Sequence, residues 1–231
     1  MHLTNSGPRR IRIAALAAIV VVGALLALAT TETRATHAEG MHGHTQQAHA
    51  LNSRQLAFHD AMRKLWEDHI TWTRLAIVSF AGDLPDLPAT EARLLANQVD
   101  IGNAIKPFYG KRAGNRLTTL LKEHILGAVR LMQAAKSADK AEIGNASSAW
   151  YANGNEVADF LSSANPHNWP RARMRAMMRA HLDQTLSEAT NRLGGNHAAD
   201  VRDYEAIHGH ILEMADLLSN GIVRQFPSRF R

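Results

Sequence analysis

Three histidines, at positions 69, 124 and 181, each close the same apolar run. Met62, Leu65 and Trp66 precede His69, Leu117, Leu120 and Leu121 precede His124, and Met174, Met177 and Met178 precede His181. Apolar residues at i, i+3 and i+4 followed by His at i+7 share one face of an α-helix. A second pattern follows each histidine, with members three residues apart: Asn97, Asp100 and Asn103; Asn153, Glu156 and Asp159; His210, Glu213 and Asp216. His69 to Asp100 is 31 residues, while His124 to Glu156 and His181 to Glu213 are both 32. Such self-similarity at a fixed period constrains the fold more than any composition figure does. One helical hairpin used three times is the simplest account, and three hairpins make an all-α bundle of about six helices.

Breakers divide the chain accordingly. Gly82 to Pro88 (GDLPDLP) and Ser163 to Pro170 (SANPHNWP) read as loops, Lys106 to Gly110 (KPFYG) ends one helix, and Gly194-Gly195 closes another. The expected helices are 53–81, 89–106, 111–136, 139–163, 170–193 and 197–225, within a bundle domain of residues 53–227.

The N-terminal part is different in kind. Arg9, Arg10 and Arg12 precede Ile13 to Thr31, a run of 19 residues without charge. A basic start, an apolar stretch and then small residues form an export signal, with Ala27-Leu28-Ala29 as a cleavage site. The run is also just long enough to span a bilayer as an uncleaved anchor. Residues 1–38 are therefore expected to be a signal peptide or membrane anchor, which places the rest of the chain in an exported, periplasmic or extracellular position, or anchored by residues 13–31. Residues 39–52 form a flexible linker rich in histidine, within the tract HAEGMHGHTQQAHA at 37–50.

The net charge of +5 misleads, because residues 1–38 hold four arginines and one glutamate, and without them 22 basic residues face 20 acidic ones. No cluster of Lys and Arg is interleaved with aromatics, so nucleic-acid binding is not expected. Contact with a membrane is expected only through the N-terminal segment. The absence of cysteine excludes disulfides, thiolate metal sites and cysteine nucleophiles.

His69, His124 and His181 take core-facing positions. Counting residues along each hairpin puts each histidine level with a carboxylate on the returning helix, which leads to three expected His–carboxylate pairs. Buried carboxylates need partners. The groups can satisfy one another by hydrogen bonding, bind a metal, or line a polar cavity for a small ligand. Histidine nitrogen with carboxylate oxygen is a ligand set for Zn, Cu, Fe or Mn. The candidate metal ligands are His69, Asp100, His124, Glu156, Asp159, His181, His210, Glu213 and Asp216. The third copy is the richest, because Asn97 and Asn103 replace charged groups in the first. Trp66, Trp72, Trp150 and the Met174, Met177, Met178 group read as packing. No Gly-rich phosphate loop, G-x-S-x-G or H-E-x-x-H sequence occurs.

Four stretches resemble a family of small all-helical bacterial proteins of unassigned function: WEDHITWTRLAIVSFAGDLPD (66–86), VDIGNAIKPFYG (99–110), WYANGNEVADFLSSANP (150–166) and NGIVRQFP (220–227). Some of those proteins carry transferase or kinase labels. The resemblance implies a shared helical fold and supplies no catalytic residues. The reading that results is an exported helical bundle binding a divalent transition metal or small ligand through buried His and carboxylate groups. A structural or partner-binding bundle is the alternative, and a metal-dependent enzyme the second alternative.

Overall fold

The computed structural model describes residues 52–231. The expected signal or anchor segment, and all of the expected linker except Asn52, lie outside the described residues. The rest is helical: α1 (Ser53–Ala81), α2 (Leu87–Ser137), α3 (Lys140–Ala164), α4 (Arg171–Leu193), α5 (His197–Gln225) and a final 3-10 turn, Pro227–Phe230. Among the described residues no helix is long and apolar enough to cross a membrane.

Local chemistry sets the boundaries. Asn52 opens α1 with a capping box: its side chain accepts from the Gln55 amide, and the Gln55 side chain accepts from the Asn52 amide. Asp139 caps α3 by accepting from the Glu142 amide at 3.0 Å. Ala138, left-handed at φ 58°, ends α2 one residue earlier.

Five α-helices stand where six were expected, and the difference lies at Gly110. The spans expected at 89–106 and 111–136 belong to one element, whose backbone leaves helical geometry at Gly110, with φ 84° and ψ 167°. That region is open essentially only to glycine. The two sides of the break are not collinear. A Cβ placed on Gly102 would lie 2.6 Å from the Gly114 carbonyl oxygen, and one on Gly114 would lie 2.5 Å from the Gly102 carbonyl oxygen. Residues twelve apart in a straight helix are separated by about 18 Å. The chain therefore turns back on itself, and 87–109 packs against 111–137.

Packing closes a ring in which each helix lies against the next, and α5 returns to α1, while α1 also touches α4 across the middle. One continuous core runs through it, from Met62, Trp66 and Ile70 through Leu117, Leu121 and Trp150 to Leu182, Ile211 and Leu218. Phe58, Phe108 and Phe230 seal one end with ring centres 5.1 to 5.6 Å apart. Phe230 is buried, so the folded unit runs past the expected boundary at 227. At the other end Lys136 donates to the Phe80 carbonyl at 2.9 Å and pairs with Asp83.

Candidate functional site

The ring of helices gathers histidines at mid-height. His69 on α1, His124 on α2 and His181 on α4 are all buried, and His210 on α5 is half-buried. His181 is the hub. Its ring centre lies 5.9 Å from that of His69, 5.9 Å from that of His124 and 6.4 Å from that of His210. Trp150 stacks on His124 at 5.3 Å, and Trp66 meets the edge of His69 at 5.7 Å. Four helices thus contribute to one imidazole layer.

Amide side chains orient the rings. Asn153 Nδ2 donates to the Leu120 carbonyl at 3.2 Å, which turns its Oδ1 toward His124 Nδ1, 3.1 Å away. An amide oxygen only accepts, so His124 carries its proton on Nδ1. Gln98 Nε2 donates to the Leu94 carbonyl at 2.8 Å and reaches His69 Nδ1 at 3.2 Å, so that nitrogen accepts and the His69 proton sits on Nε2. His210 Nε2 donates to the Met177 carbonyl at 3.1 Å. His181 Nδ1 and Gln98 Oε1 are buried and have no hydrogen-bond partner among the described residues.

The three buried imidazoles, His69, His124 and His181, are neutral at pH 7. Burial pushes His69 down to about 3, helped by the nearby His124. Burial pushes His124 down to about 4 against the Asn153 bond. Burial also holds His181 well below the ordinary range, with repulsion from His69, His124 and His210 adding to it. Neutral imidazoles keep a lone pair each, the state a metal ion or hydrogen-bonding ligand requires.

The expected His–carboxylate pairs do not form. Asp100, Glu156 and Glu213 are exposed. Asp100 meets Arg93 at 3.4 Å and Glu156 meets Arg116 at 3.5 Å. Asp159 is clamped by Arg171 and Arg175 at 2.6 to 2.8 Å, and Asp216 by Arg63 at 2.7 to 2.9 Å. Of the nine expected ligands the structure brings together the four histidines and none of the five carboxylates. The reason is helical phase. On α5 the buried positions Ile207, Ile211, Met214, Ala215, Leu218 and Ile222 mark the inward face. At 100° per residue Glu213 lies about 150° from its centre. The carboxylates face outward. The partners across each hairpin are instead the leading members of the three patterns. Asn97 donates to the Leu65 carbonyl at 3.0 Å, Asn153 to the Leu120 carbonyl and His210 to the Met177 carbonyl. Each accepting carbonyl lies four residues before its histidine.

Sequence reasoning missed a second buried polar group. Arg74 on α1 pairs with Glu188 on α4 at 2.9 Å and with Asp200 on α5, and Arg192 reaches Asp200 at 3.4 Å. Both carboxylates are fully buried. Burial raises Glu188 to about 7 in spite of Arg74, whereas Arg74 and Arg192 overcome the burial of Asp200 and hold it low. The signal was present, because Glu188 sits seven residues after His181 on the same stripe. A mostly apolar pocket of about 40 Å³ is lined among others by Thr73, Ile77, Leu94, Ile125, Ala128 and Thr185. Thr73, Ala128 and Thr185 follow the three histidines by four positions, one turn further along. A third buried pair, His59 Nδ1 with Ser219 Oγ at 2.7 Å, also went unread.

Two imidazoles sharing one zinc ion at about 2.1 Å place their ring centres roughly 5–6 Å apart. The spacings from His181 to His69 and His124 match that distance and the one to His210 exceeds it, but the rings lie tilted or stacked, at 21° to 41°, instead of aiming nitrogens at one point. Among the described residues no three or more His, Cys, Asp or Glu already stand as a ligand set. The chain matches no protein-family model, no curated protein and no solved structure.

Proposed function

We propose that this is an exported helical-bundle protein that binds a divalent transition-metal ion through its buried imidazoles, His69, His124 and His181, with His210 at the margin. One observation carries the reading: four imidazoles from four helices converge with every expected carboxylate outside, and one of them, His181, has an unpartnered Nδ1. An all-nitrogen set favours Zn, Cu or Fe over Mn, which prefers carboxylate oxygen. Binding requires the His181 ring to turn from its stacked position. In this reading the chain is three copies of one hairpin, with the break at Gly110 separating the first from the second. The three equivalent side-chain-to-carbonyl ties at Leu65, Leu120 and Met177 support that reading.

The test is elemental analysis of residues 51–231, purified without chelator or His tag, beside a variant with His124, His181 and His210 changed to Ala. Starting at Leu51 removes His37, His42, His44 and His49, which would bind metal on their own account. Stoichiometric metal in the parent and none in the folded variant is the expected result. No metal after exposure to Zn²⁺, Cu²⁺, Fe²⁺ and Mn²⁺ would overturn the reading.

The same three ties favour a second reading, in which the layer only fixes helix register. It differs in its outcome: no metal binds, and each single His→Ala change lowers stability with no other effect.

A further inference from the structure

A groove of about 360 Å³ runs along the surface between the 111–137 part of α2 and α3, lined among others by Glu123, Gly127, Ala149, Trp150, Asn153 and Glu156. Its floor is the outer wall of the histidine layer. Trp150 stacks on His124 and donates its indole N–H to the His124 carbonyl at 3.1 Å. Asn153 is half-buried; it lines the groove on one side and holds His124 Nδ1 on the other. Among the described residues it is the one that both lines this groove and hydrogen-bonds a layer imidazole. Its counterpart Asn97, by contrast, is fully buried. Of the charged residues that line it, Glu156 faces Arg116 and Arg130 pairs with Glu142, while Glu123 is in no ion pair among the described residues.

We infer that this groove is the entrance to the histidine layer and that Asn153 is its gate, so that a small divalent cation reaching the layer meets His124 first. The cation rests on the function proposed above; the solvent route stands without it. When the Asn153 side chain swings out, it releases His124 Nδ1 to water while the ties at Asn97 and His210 keep the other two hairpins closed.

Hydrogen–deuterium exchange at the imidazole C2 position, read residue by residue by mass spectrometry on the full chain, tests this with and without Zn²⁺. In the parent His124 exchanges faster than His69 and His181. Asn153→Ala speeds His124 about tenfold, as loss of one net hydrogen bond implies, and leaves His69 and His181 unchanged. Asn97→Ala does not speed His124 selectively. Ala149→Phe, at an exposed position that would fill the groove, slows His124; this variant carries the test if Asn153→Ala does not fold. Zn²⁺ protects His124 in the parent. The entrance is overturned if Asn153→Ala speeds all three histidines equally, or if Ala149→Phe leaves His124 unchanged. Selective Asn153 and Ala149 effects with no protection by Zn²⁺ would uphold the entrance and overturn the metal reading.

Discussion

At the scale of single residues, burying neutral imidazoles makes folding depend on pH, and the sign follows from the unfolded chain. An unfolded histidine takes up its proton near 6.5, whereas folded His69 and His124 wait until about 3 and about 4. Between those values the unfolded state binds more protons, so their contribution is complete above 6.5 and is lost as the pH falls below it. Each such group removes up to about 1.4 kcal/mol per pH unit across its window. Glu188 works the other way: raised from 4.5 to about 7, it makes folding less favourable as pH rises through that interval. Three histidines outweigh one glutamate, so urea unfolding at pH 7 and pH 5 is expected to show a clear loss at pH 5. His181→Leu is expected to reduce that loss. Equal stability at both pH values would contradict the neutral layer. Arg74→Ala leaves Glu188 and Asp200 buried without their shared cation, and such a change costs about 3–5 kcal/mol. Adding Glu188→Gln and Asp200→Asn is expected to restore part of this in the same assay. The inward histidines were legible, because each extends an apolar stripe by one more position. The carboxylates were not, since steps of three residues slip about 60° per step around a helix. The apolar neighbours, such as Ile211 and Met214, fix the phase; the polar triplet does not.

At the scale of elements, helix positions followed from caps, prolines and glycines, and the loops expected at 82–88 and 163–170 are found at 82–86 and 165–170, each two residues shorter at one end. KPFYG was legible as a break; that the chain reverses there depends on a contact between Gly102 and Gly114, which no local pattern encodes. Gly102→Ala pushes a methyl against the Thr118 hydroxyl and the Gly114 carbonyl and is expected to cost about 1–3 kcal/mol or more through overpacking. Gly110→Ala meets open space, so its cost of about 1–3 kcal/mol comes from backbone conformation alone. Denaturant titration separates the two: the first is rescued by trimming Thr118 only in part, because the carbonyl remains, and the second is insensitive to Thr118.

At the scale of the molecule, the ring is closed by α5 returning to α1 and by the C-terminal turn. Asn52 Nδ2 donates to the Phe230 carbonyl at 2.6 Å, which ties the start of the domain to its end. Removing residues 226–231 takes Phe226 and Phe230 from the aromatic end and is expected to lower the melting temperature; an unchanged value would show that the end seal is dispensable. The Arg74, Glu188 and Asp200 group was hidden from sequence reading because its three members lie on three helices and become neighbours only when the ring closes. The same closure turns three separate histidines into one layer, and that layer is the central claim. It is tested most directly by ¹⁵N imidazole spectroscopy of residues 51–231 at neutral pH. His69, His124 and His181 are expected to be neutral and fixed, with the proton of His124 on Nδ1 and that of His69 on Nε2. Charged rings, or tautomers in rapid exchange, would contradict it.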